Sequence, residues 1–264
     1  MSLPDDLLPA RVRPLLQTKF FAREFFQVFE GVPSTNAQLL ALSSQGAPHG
    51  AVIVADYQSF GRGRFERTWF SPPGRNLLFS ILLRPTAKER GIAGLVLAAG
   101  IAVHDVVRRS VERPVRLKWP NDVLVGRKKI AGILCQSFLA EQPAVVVGVG
   151  LNVNVAADEF PAELRDTAAS LRQVTGRVFD RGRLLAELLL SLEAQYKIWL
   201  IDRPALFRAW EERAEIHGAP VRVVEAKETY EATAQGLDDE GRLVVMLNGR
   251  SRAVACGDVH LLEV

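Results

Sequence analysis

The chain has 264 residues, 48% of them hydrophobic and 24% charged, with a formal net charge of +3. That length supports one sizeable core plus a small appended domain, and so slight a basic surplus lacks the concentrated basic face of a bulk nucleic-acid binder. Cys135 and Cys256 stand far apart without partner spacing, so neither a zinc site nor a disulfide framework is expected. The N-terminus carries Asp5 and Asp6 and no long apolar run, so no signal peptide is expected. His, Gly or charges break the longest apolar stretches, so no transmembrane helix is expected. The cytoplasm is the expected compartment.

In chain order, residues 7–29 set Leu, Phe and Val at roughly helical spacing and predict an amphipathic helical lead-in. Within it Phe20, Phe21, Phe25, Phe26 and Phe29 read as core packing. Ser34-Thr35-Asn36 precedes an apolar helical stretch at 37–42, and Ser or Thr suits its N-cap. Residues 51–57 and 76–84 read as buried strands. Residues 89–111 predict a long helix with Gly94 and Gly100 where close packing is needed.

Residues 115–119 predict a short strand, interrupted by Pro120-Asn121-Asp122 and resumed at 123–125. Gly126-Arg127 turns the chain into a strand over 128–138. Another strand is predicted over 145–155, marked by Gly148 and Gly150, and amphipathic helices over 181–201 and 203–216. After Gly218 the pattern changes to short β-rich runs separated by Gly236, Asp238 to Gly241, Asn248-Gly249 and Gly257-Asp258, which mark hairpins. The prediction is an α+β fold. A mixed sheet with helices on one face occupies residues 1–217, with 1–30 a helical lead-in, and a small β-barrel occupies 218–264.

Three segments carry chemistry. Gly61 to Trp69 reads Gly-Arg-Gly-Arg-Phe-Glu-Arg-Thr-Trp, placing Arg62, Arg64 and Arg67 in a short loop between two strands. Glycine lets backbone approach a ligand, and guanidinium forks match carboxylate and phosphate. Lys118-Trp119-Pro120-Asn121-Asp122 brings a cation, an amide and a carboxylate to one strand end. Lys128-Lys129-Ile130-Ala131-Gly132 opens an apolar strand with lysines, which alternation sends to opposite faces. Gly132 leaves room for a ligand against the sheet. Singly, each segment also reads as a solvated turn or hairpin tip.

Together, in this order, they resemble the biotin–protein ligase family, whose members attach biotin to a lysine of carboxylase carrier domains. The matching elements are Ser34-Thr35-Asn36, Gln58, Gly61 to Trp69, Ser71-Pro72, Lys118 to Asp122, Lys129 to Leu134 and Gly148 to Asn152. The resemblance runs from about residue 30 to the C-terminus. It implies a class II synthetase-like catalytic core, an SH3-like C-terminal domain, and two steps. Biotin's carboxylate attacks the α-phosphate of ATP, giving biotinyl-5′-AMP and pyrophosphate. The amine of a lysine on a biotin carboxyl carrier protein then takes the biotinyl group and releases AMP.

By the same resemblance Ser34, Thr35, Asn36 and Gln58 line the ureido slot, with Gly132 and Gly150 as close walls. Gly61, Arg62, Gly63 and Arg64 close over the intermediate, and Lys129 contacts biotin carboxylate and α-phosphate. Arg62, Arg64, Arg67, Trp69, Lys118 and Asn152 serve the nucleotide, and Asn121 and Asp122 support the nucleotide or the acceptor lysine. Magnesium is expected with ATP, and no protein residue is an evident metal ligand. Some members pair through the central sheet edge, which leaves a homodimer open.

The loop departs from the family's usual pattern at Phe65 and at Glu66, where glycine is usual, and Gln136 stands where glutamate is frequent. About thirty residues precede Ser34, too few for a winged-helix domain, so no DNA binding by a repressor is expected. Competing readings are a lipoate–protein ligase or a related cofactor acyltransferase on the same scaffold, a nucleic-acid binder, and a non-enzymatic biotin sensor. The nucleic-acid reading needs a basic face, and the C-terminal β-rich segment has no excess of bases.

Overall fold

The computed structural model describes residues 3–85, 92–138 and 143–262. A seven-stranded mixed sheet organises the larger part, in the order β1-β2-β3-β7-β6-β5-β4. Its strands are β1 (Phe26–Val32), β2 (Val52–Gln58), β3 (Leu77–Leu83), β4 (Val115–Lys118), β5 (Asp122–Val125), β6 (Lys128–Phe138) and β7 (Ala144–Leu151). Only the β1–β2 pair is parallel. The helices are α1 (Pro9–Val12), α2 (Thr35–Ser44), α3 (Ile92–Ser110), α4 (Leu171–Thr175), α5 (Arg181–Ile201) and α6 (Arg203–Ala214).

The sheet has two unlike faces. Val145, Val147, Val149 and Leu151 of β7 point into the main core with residues of α3, α5 and α6. The alternate residues Ala144 and Val146 pack with Leu39 of α2 on the opposite side. The expectation of helices on one face therefore holds for the three long helices, while short α2 covers one end of the other face. The rest of that second face carries the glycines of β6 and β7. In α3, Gly94 has the tight neighbour anticipated for it, because a Cβ there would collide with the Trp199 indole. Residues 89–91 of the predicted helix lie outside the described residues.

The lead-in differs from its prediction. Pro9 and Pro14 limit helix to Pro9–Val12 and a following 3-10 turn, and Phe26 and Phe29 belong to β1. The intervening turn depends on a distant partner: the Glu193 carboxylate of α5 accepts from the backbone amides of Lys19, Phe20 and Phe21 at 2.9–3.2 Å. Apolar spacing could not register that contact. β7 likewise ends at Leu151 rather than 155. Beyond it Asn154 leaves the sheet to hold the Phe179 backbone, donating to its carbonyl at 2.8 Å and accepting from its amide at 2.9 Å.

Five antiparallel strands form the C-terminal sheet: β8 (Pro220–Val224), β9 (Thr229–Leu237), β10 (Leu243–Leu247), β11 (Arg250–Val254) and β12 (Asp258–Leu261), in the order β11-β10-β9-β8-β12. Among the described residues no helix is long and apolar enough to cross a membrane.

Arg181 ties the N-terminus to the sheet. It is 2% exposed and meets Asp6 at 2.8 Å, Asp56 at 2.7 Å and the Asn76 carbonyl at 3.1 Å. These partners outweigh the burial cost and raise its pKa above the ordinary value, while the pairing lowers that of Asp6. Arg181→Ala would leave Asp56, itself 5% exposed, without its cation. A loss of about 3–5 kcal/mol is expected, read as a lower urea midpoint with unchanged slope.

Candidate functional site

The site lies on the open stretch of the second sheet face. Gly132 of β6 pairs directly with Gly150 of β7, and Leu134 with Gly148. Three positions without a Cβ thus lie together, and each has a close neighbour. A Cβ on Gly150 would strike the Trp69 indole, one on Gly132 would meet Trp69 and the end of Lys129, and one on Gly148 would strike the Asn36 amide. The glycines form a floor on which an aromatic ring and an amide rest at backbone distance.

One end of the floor is a hydrogen-bond network. Ser34 caps α2 through the Ala37 amide. Thr35 donates from its amide and hydroxyl to Gln58 Oε1 at 2.7 and 3.0 Å. Ser80 Oγ donates to Asn36 Oδ1 at 2.7 Å. Asn36 Nδ2 in turn donates to the Leu134 carbonyl and to Gln136 Oε1, at 3.0 and 2.9 Å. Asn36 is 4% exposed and its amide is fully engaged by protein, so it braces the wall. Gln136, which the sequence left without a role, helps brace it. Ser71 clasps the Gln58 backbone, donating to its carbonyl at 3.1 Å and accepting from its amide at 3.2 Å.

A β-bulge sets the lysine. Along β5 and β6 the register shifts between Val123 and Leu124, so that Val123 faces Ala131 but Leu124 faces Lys129. A bulge reverses strand alternation, which brings Lys129 onto the face of Gly132 despite an odd spacing. Lys129 Nζ then lies 2.6 Å from Asp122 Oδ1 and 5.3 Å from the Trp69 ring centroid. Lys128 goes the other way, its Nζ donating to the Arg165 carbonyl at 2.5 Å.

The glycine-arginine loop is a small hairpin across this floor. Gly63 N donates to Arg67 O at 2.7 Å, Trp69 N donates to Gly61 O at 2.9 Å, and Arg62 bridges Thr68. At its tip Phe65 (φ 54°) and Glu66 (φ 56°) are left-handed, a conformation that costs a side chain more than it costs glycine. Each arginine faces a carboxylate: Arg62 meets Glu66 at 3.1 Å, and Asp258 of β12 meets Arg64 at 3.3 Å and Arg67 at 2.6 Å. Phe65 stacks on the guanidinium of Arg64, 4.7 Å from the ring centroid.

Two adjoining cavities result. The first is lined by Ser34, Thr35, Asn36, Gln58, Arg62 and Gly63, and by the glycine floor. The second is lined by Arg64, Arg67, Lys118, Asp122 and Asn152, with Asp258 and His260 from the C-terminal sheet. Trp69, Asn121 and Lys129 border both. Of the predicted residues Gly61 alone lines neither; it is buried at the loop's base, where a Cβ would press on Trp69 and Gln58. Asn121 and Asn152 spend their amide NH2 groups on the carbonyls of Ile133 (2.9 Å) and Ala169 (3.1 Å). Burial pushes the Lys118 ammonium below its usual pKa, against the pull of Asp122 and Asp258. Asp258 and His260 escaped the sequence reading because nothing in a β-hairpin segment says which distant loop it will face. Among the described residues no group of three or more His, Cys, Asp or Glu side chains could hold a metal ion.

A slot with amide and hydroxyl groups at one end, joined through a lysine to a cation-rich cavity, suits a substrate carboxylate meeting a phosphate. The chain is similar to known proteins over most of its length. The Biotin/lipoate A/B protein ligase family matches residues 28–154, and the Biotin protein ligase C terminal domain matches residues 216–262. The chain is 38% identical over 235 residues to a biotin--[acetyl-CoA-carboxylase] ligase of Mycobacterium tuberculosis, covering 86% of each. It is 31% identical over 261 residues to the bifunctional ligase/repressor BirA of Bacillus subtilis, covering 98% of this chain and 80% of that one. The biotin protein ligase of Aquifex aeolicus, solved in complex with biotin and ATP, superposes with a TM-score of 0.78 at 29% identity, over 91% of this chain and 100% of the other. The chain belongs to the biotin protein ligase family and is an enzyme of the ligase class.

Gly150→Ala tests the floor. Forcing a methyl under Trp69 costs about 1–3 kcal/mol when a packed neighbour must move. If the floored slot takes biotin, biotin affinity by calorimetry should fall about tenfold, with the fold retained by circular dichroism.

Proposed function

We propose that the two cavities divide the reaction between them, the glycine-floored slot taking biotin and the cation-rich cavity taking the nucleotide. The observation that carries this reading is Lys129 at their junction, re-aimed by the bulge and paired with Asp122. The protein forms biotinyl-5′-AMP from biotin and ATP and transfers biotin to a lysine of a carrier protein. The first step brings a carboxylate to a phosphate, and the two repel. A fixed cation between them stabilises the charge as the carboxylate oxygen bonds to phosphorus and pyrophosphate leaves. Lys129 supplies that cation, exchanging Asp122 for the reacting oxygens.

Lys118 and Arg67 hold the phosphate end. Arg62 and Arg64 close over the adenylate and shield the anhydride from water. Gln58 offers its amide NH2 to the ureido group, because its carbonyl is already taken by Thr35. Residues 1–217 form the catalytic unit and 218–264 the C-terminal unit. Magnesium would enter with the nucleotide and would offset the charge of its phosphates. The acceptor is the lysine of a biotin carboxyl carrier protein. Nothing in this scheme needs a covalent enzyme intermediate, so positioning carries most of the rate.

ATP–pyrophosphate exchange tests the reading, with biotin and lipoate supplied in parallel. Exchange that depends on biotin alone is expected; exchange with lipoate alone would assign the slot to the other cofactor. Lys129→Ala should lower the exchange rate by about 10²–10³, and an unchanged rate would remove Lys129 from its central place. Arg64→Ala should release biotinyl-AMP faster in a filter-retention assay, and unchanged release would rule out the clamp.

A further inference from the structure

Lys118 has a partner from the C-terminal sheet, His260, to which adenylation as proposed assigns no part. Lys118 ends β4 opposite Asp122 of β5. Its Nζ stands 3.2 Å from Nδ1 of His260 on β12. An ammonium has three donors and no acceptor. The contact is therefore a hydrogen bond only when Nδ1 offers its lone pair and the ring proton sits on Nε2. A protonated ring would set one cation against another.

Strand alternation explains the placement. Val259 is buried in the C-terminal sheet, while its neighbours Asp258 and His260 both line the cavity that holds Lys118, Asp122 and Lys129. We propose that His260 is a positioning residue for adenylation: its neutral imidazole accepts from Lys118 Nζ and aims the ammonium at the phosphate end of the cavity, and protonation of the ring undoes this. The inference rests on the proposed reading of the site.

The surroundings favour the neutral ring. His260 is an exposed residue, yet partial desolvation of the ring and then the Lys118 charge hold its pKa below the ordinary 6.5, with Arg67 of the loop and Arg222 of β8 acting the same way and Asp258 opposing them. The sign follows. His260 is neutral above its lowered pKa, so the aligned Lys118 is present at neutral pH and lost as the pH falls through that value.

Biotin-dependent exchange measured against pH is the test. His260→Ala should lower kcat/KM for ATP roughly five- to tenfold at about pH 7.5 and leave KM for biotin unchanged. Asparagine can place an acceptor oxygen near the Nδ1 position and does not titrate. His260→Asn should therefore keep most of the activity at about pH 7.5 and lose the acid limb below about pH 6.5. An unaltered acid limb in His260→Asn, or an unaltered kcat/KM in His260→Ala, would overturn the proposal. A second arm does not depend on turnover. The His260 imidazole titrated by NMR should show a higher pKa in Lys118→Met than in the wild type, and an equal value would show that the pair does not form. Absence of exchange in the wild type would instead count against the adenylation reading.

Discussion

Close approach to the sheet is the constraint on which the site depends. Gly132, Gly148 and Gly150 remove the side chains that would otherwise cover the second face between α2 and the edge strands. Trp69 and Asn36 can then rest at backbone distance, and everything else takes its position from them. The glycine-arginine loop lies where Trp69 anchors it. The Thr35–Gln58–Ser80 network closes one end, and the α3, α5 and α6 core stiffens the sheet from behind. A pocket built on strands holds its donors more firmly than one built on loops.

Charge is arranged with equal economy. The site gathers Arg62, Arg64, Arg67, Lys118 and Lys129, and such a cluster repels itself. Glu66, Asp258 and Asp122 each stand against members of it. These pairs are partly exposed, so they add little to stability. They hold the paired cations apart from one another and leave each one within reach of a carboxylate. The loop tip carries a conformational cost at Phe65 and Glu66, and Phe65 offsets part of it by stacking on Arg64.

The C-terminal sheet belongs to this arrangement. Trp119 donates to the Gly241 carbonyl at 3.3 Å and Glu211 accepts from the Leu237 amide at 2.5 Å, which fixes the small sheet against the large one. That docking delivers Asp258 to the loop arginines and His260 to Lys118. The cation-rich cavity is thus assembled from both sheets.

Much of this was legible from local chemistry. Ser34 announced the cap of α2, and the turn residues after Gly218 announced the hairpins. The order of the Gly-Arg loop, the Lys-Trp-Pro-Asn-Asp run and the lysine-led strand announced the family, because backbone conformation and donor geometry are written in neighbouring residues. Residues 7–29 misled, since proline positions and the Glu193 carboxylate on a distant helix overrode their apolar spacing. Strand alternation separated Lys128 from Lys129 but could not say which one faces the pocket; the bulge decided that, and a bulge depends on how two strands pair. Asp258 and His260 joined the site only through the docking of one sheet on another. Local sequence governs what the backbone can do within a few residues, whereas contacts between segments far apart in the chain exist only once the core has closed.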